Sequence, residues 1–116
     1  MALNDRELQR YLQRVSDRWP IERALLGGAP WRSSTRAPPQ RERGPEYVVV
    51  LVSSGFDGVP WLERVHQAGS LWDASEMGDR AEVHCYTPAE MERKIVQLAR
   101  VRRVADRGLE LALEPA

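Results

Sequence analysis

The chain has 116 residues, room for a single domain spanning 1–116, and its 17 acidic and 17 basic side chains cancel. Neutrality argues against direct nucleic-acid binding, which calls for a basic excess, and no apolar run approaches the roughly 20 residues that span a bilayer. Hydrophobic residues at 42% and charged residues at 29% give a globular profile, and one cysteine, Cys85, excludes an internal disulfide.

The first residues turn charged at once, with no apolar leader, so the cytoplasm is the expected compartment. Asn4 to Arg18 has the pattern of a helix: Asn4 caps it, Glu7 completes a capping box, and Leu8, Tyr11, Leu12 and Val15 form one apolar face. Pro20 stops it. Ile21 to Leu26 then forms a short strand ending in Gly27-Gly28.

Residues 29–45 are rich in proline and arginine and poor in apolar side chains, a flexible loop. A loop this long in a small domain is functional or disordered. Tyr47 to Val52 is a continuous β-branched run, the mark of a central strand covered on both faces. Pro60 to Trp72 is expected to be helical, with Trp61, Leu62, Val65, Ala68 and Trp72 on its packed side. Residues 73–80 are expected to be a polar turn.

Ala81 to Tyr86 is a third strand. Thr87, Pro88 and Glu90 supply a cap, a first-turn proline and a capping-box acid. They open a helix expected to run unbroken to about Arg107, with Gly108 as its stop. Leu109, Leu111 and Leu113 alternate with less apolar residues, as on an edge strand. The order is a small α/β (α+β) fold, a mixed sheet of three to five strands with helices packed on it.

Several candidate residues have simple structural readings. Cys85 is expected to be a buried, inert thiol, with His84 on the opposite strand face and unable to serve it as a base. His66 and His84 stand alone in the sequence and suit surface or packing roles. Trp19, Trp61 and Trp72 suit the core or its cover, while Trp31 in the loop is free to stack on a base or a partner. Lys94 is the only lysine, so phosphate contacts would fall to arginines, Arg32 first among those of the loop, or to backbone N–H groups. The arginines near the end of the last helix, Arg100, Arg102, Arg103 and Arg107, complement its dipole without any ligand.

Nucleotidyl transfer needs divalent metal held by carboxylates at a rigid sheet, with a glycine turn presenting N–H groups to phosphates. Ala24-Leu25-Leu26-Gly27-Gly28 followed by Glu46 and the strand Tyr47–Ser53 resembles the signature of the DNA polymerase β-like nucleotidyltransferases, in particular their minimal stand-alone members. Phe56 to Arg64 and Glu82 to Glu90 extend the resemblance, which covers about residues 20 to 111. It implies that Gly27 and Gly28 form the phosphate-binding turn and that Glu46 and Glu82 stand at the first and third metal-binding and catalytic acids. Val48 stands at the second. Valine cannot ligate metal, and two ions need a bridging carboxylate; Mg²⁺ in particular tolerates poor cages badly.

The resemblance therefore implies a nucleotidyltransferase fold with impaired catalysis, acting as a binding or regulatory module beside a small helical partner protein, as in toxin–antitoxin-like pairs. The alternative is an active enzyme that uses ATP with Mg²⁺ or Mn²⁺ to modify a partner protein or small molecule. The same resemblance leaves nucleotide binding and homo-oligomer formation open.

Overall fold

A computed structural model describes residues 5–28, 47–78 and 80–111. Helix α1 spans Asp5–Ser16, strand β1 Arg23–Gly28 and strand β2 Tyr47–Val52; a 3-10 turn covers Ser54–Phe56. Helix α2 (Trp61–Ser70), a single-turn helix α3 (Ala74–Met77) and strand β3 (Ala81–Tyr86) follow. Helices α4 (Pro88–Gln97) and α5 (Ala99–Arg107) and the two-residue strand β4 (Leu109–Glu110) complete the order.

The four strands form one mixed sheet in the order β3-β2-β1-β4. Strand β1 pairs antiparallel with both β2 and β4, and β2 pairs parallel with β3. Period-2 alternation sends successive side chains to opposite faces, so each face has its own apolar layer. On the first, Ala24, Leu26, Tyr47, Val49, Leu51, Val83 and Cys85 pack with Leu8, Tyr11, Leu12 and Val15 of α1 and Met77 of α3. On the second, Leu25, Val50, Val52 and Tyr86 pack with Met91 of α4 and Val101 and Val104 of α5. The mixed sheet and the helices on it agree with the fold class expected from the sequence. Among the described residues no helix is long and apolar enough to cross a membrane.

Local signals account for several boundaries. The Thr87 hydroxyl accepts from the Glu90 N–H, and the Glu90 carboxylate accepts from the Thr87 N–H, a complete capping box. Gly108 ends α5 in an extended conformation; what demands glycine there is space. A Cβ would crowd the Val104 carbonyl and meet the Leu26 carbonyl at 2.8 Å, where the chain turns from α5 into β4 beside β1.

Three expectations are corrected. The helix after Thr87 is broken at Leu98, which is extended (φ −117, ψ 116). The Arg102 guanidinium occupies the carbonyls that the break frees, donating from Nε to Ile95 O at 3.1 Å and from Nη2 to Val96 O at 3.0 Å. The polar turn at 73–80 contains α3, because Asp73 caps the Ser75 and Glu76 N–H groups and Met77 reaches the core. In α2, Leu62 is 79% exposed and Arg64 is buried in its place. The expected cap at Asn4 and the end of the edge strand at Leu113 lie outside the described residues.

Candidate functional site

Three of the positions singled out in the sequence fall in one row across the sheet. Gly27 on β1 is the register partner of Val48 on β2, and Val48 is the partner of Glu82 on β3. All three belong to the face covered by α4 and α5. The glycines do not form a turn: both lie within β1, Gly27 opposite Val48 and Gly28 opposite Tyr47. Gly27 sits under α5, where an added Cβ would come within 2.8 Å of Val104 Cγ2. Close packing of a helix on the strand explains that glycine. Glu46 and Arg32 lie outside the described residues, as does Trp31.

Glu82 begins a second row along β3. Residues i, i+2 and i+4 of a strand share a face, and here Glu82, His84 and Tyr86 are joined through their side chains. His84 Nε2 lies 2.7 Å from Glu82 Oε2, and His84 Nδ1 lies 2.7 Å from the Tyr86 hydroxyl oxygen. An ionised Glu82 accepts from Nε2–H, which leaves Nδ1 to accept from the Tyr86 hydroxyl. Burial, with Cys85, Glu82 and Glu90 close by, pushes the Tyr86 phenol up to about 12, so it remains a donor at neutral pH. His84 is thus no isolated histidine. The spacing Glu-x-His-x-Tyr on a strand was the sequence signal for this chain.

Beyond Tyr86 the sheet opens into a cavity of about 300 Å³ lined by Trp61, His84, Tyr86, Lys94 and Leu98. The Trp61 indole stacks on the Tyr86 ring at 5.3 Å and 21°. Arg64, three residues on in α2, lies 6.0 Å from the Trp61 ring centroid and reaches β3. Arg64 donates from Nη1 to Cys85 O at 3.2 Å and to Glu90 Oε1 at 2.7 Å, and from Nε to Val59 O at 2.8 Å. The Arg64 hydrogen bond holds the Glu90 carboxyl below its ordinary range, outweighing the opposing effect of burial.

Cys85 faces the other side of the sheet from His84, fully buried, and burial raises its thiol to about 12. Both points agree with the expectation of an inert thiol. His66 is exposed on α2.

Among the described residues, which leave out Glu46, the donors around Glu82 do not make a two-metal cage. Val48, beside it, offers no oxygen; the Glu82 carboxylate is engaged by His84; and among the described residues no three His, Cys, Asp or Glu side chains come together to hold a metal. Asp57, the nearest acid after β2 in the sequence, follows the opposite end of that strand from Val48. Comparison with protein-family models, with curated proteins and with solved structures finds no match for this chain.

Proposed function

We propose that this chain is a binding or regulatory module built on a nucleotidyltransferase-like sheet, with nucleotidyl transfer impaired and a small helical protein as its partner. The observation that carries the reading is Val48, aligned between Gly27 and Glu82 on one face of three neighbouring strands. On this reading an aliphatic side chain stands where a bridging carboxylate is needed, which supports impaired transfer. The His84 contact further occupies the one acid of that row. A cytoplasmic setting belongs to the same proposal.

The test is titration of the full chain with ATP and Mg²⁺ or Mn²⁺, followed by thermal unfolding and by transfer of labelled adenylyl groups. The module reading expects neither metal-dependent stabilisation nor label transfer, and a helical protein retained through purification. Metal-dependent transfer that disappears in Glu82→Gln overturns it in favour of the active enzyme.

A further inference from the structure

The cavity beside β3 combines three features that folding alone does not require. Its flat wall is the Trp61 indole stacked on Tyr86, yet Trp61 remains 41% exposed where a packed tryptophan would be covered. Leu98, at the break between α4 and α5, is 39% exposed on the same cavity. Lys94, the sole lysine of the chain, contributes an ammonium group with no carboxylate partner among the described residues. The polar wall is fixed: the hydrogen-bonded chain from Glu82 through His84 to Tyr86 locks both rings in place.

We propose that this cavity binds a small planar aromatic anion, its ring against Trp61 and Leu98 and its anionic group on Lys94. The volume, about 300 Å³, suits one or two fused rings with a short substituent. A ring laid on Trp61 extends an existing stack and covers apolar surface now facing water. The ammonium selects for negative charge. A carboxylate and a phosphate monoester satisfy the same lysine. The proposal does not rest on the nucleotidyltransferase reading, since it uses no metal and neither glycine.

Calorimetric titration of the full chain in excess chelator, with 2-naphthoate and with AMP as separate probes, tests it. Saturable binding of either probe is expected, with the tighter one identifying the carboxylate or phosphate class. The uncharged analogues 2-naphthamide and adenosine should bind about tenfold more weakly. Lys94→Met should remove that difference, and Trp61→Ala should weaken charged and uncharged probes alike by about tenfold or more. Both side chains are at the surface, and unchanged unfolding temperatures confirm that each variant is folded. No saturable binding of either anion up to about 10 mM, or binding indifferent to both substitutions, overturns the proposal. Chelator keeps its failure separate from that of the metal-dependent reading.

Discussion

The guanidinium of Arg64 on α2 and the carboxylate of Glu90 in the first turn of α4 meet at 2.7 Å beside the outer edge of β3, with Arg64 almost wholly buried. The same guanidinium donates from Nη1 to the Cys85 carbonyl oxygen at 3.2 Å and lies over the Phe56 ring at 5.8 Å. One side chain thus ties together α2, the edge strand and α4.

Removing one partner of such a pair strands the other. Arg64→Met is expected to cost about 3 kcal/mol and Glu90→Gln about 2 kcal/mol, the glutamine retaining part of the hydrogen bonding. Urea unfolding of both single variants and the double variant measures the coupling. Additive losses would show that the two side chains act independently.

Acid should unfold the protein through two carboxylates in particular. Glu7 is buried on α1 and accepts hydrogen bonds from Arg10 and Arg14. Burial raises its pKa, but the two arginines together outweigh it and hold it below the ordinary 4.5; Glu90 is depressed as well. A depressed folded pKa means that the unfolded chain binds more protons. The stabilisation is therefore complete above about pH 4.5 and is lost as pH falls through the folded values. Glu7→Gln should lower stability at pH 7 by roughly 2 kcal/mol and flatten the acid limb. Denaturant midpoints between pH 7 and 3 measure both. An unchanged acid limb in a Glu7→Gln, Glu90→Gln double variant would refute the assignment.

Gly27 offers a test of packing. Gly27→Ala places a methyl group 2.8 Å from Val104 Cγ2 and should destabilise by about 1–3 kcal/mol. Val104→Ala removes the obstacle at its own cost. The double variant should then be more stable than the two losses summed, by about 1 kcal/mol. Strict additivity would mean that Val104 does not dictate the glycine.

Cys85 should resist modification in the folded protein. With its thiol raised to about 12, iodoacetamide labelling at pH 8 should proceed only as fast as the protein opens, and should accelerate in urea. Rapid labelling of the native chain would contradict the burial described here.

Much of the fold was legible because local chemistry and tertiary packing agree. The apolar spacing of Leu8, Tyr11, Leu12 and Val15 marked the face that α1 buries, and all four are buried. Thr87 and Glu90 marked a helix start that forms as a capping box. What escaped depends on partners distant in sequence. Met91, Ile95, Leu98 and Val101 fit one helical stripe, so nothing local announces the break at Leu98; the carbonyls it frees are served by Arg102 from the next helix. Arg64 looks like a solvent-facing residue until Glu90, 26 positions on, is placed beside it. Of the candidate site, Gly27, Val48 and Glu82 share a row that follows from strand register rather than from any local signal, while the glycines are expected to bend and instead extend β1. The link from Glu82 to His84 and Tyr86 is present in the strand's alternation, whereas a histidine judged by its neighbours in sequence stands alone.

Strand β1 is completed from opposite stretches of the chain: β2 supplies one neighbour, and Leu109–Glu110 supply the other, with Leu111 N–H donating to Ala24 O at 2.8 Å. During synthesis, one border of β1 therefore lacks its mate until residue 111 has left the ribosome. Until then the nascent sheet presents open backbone donors and acceptors to any passing strand, and chaperone contact would be most valuable in that interval.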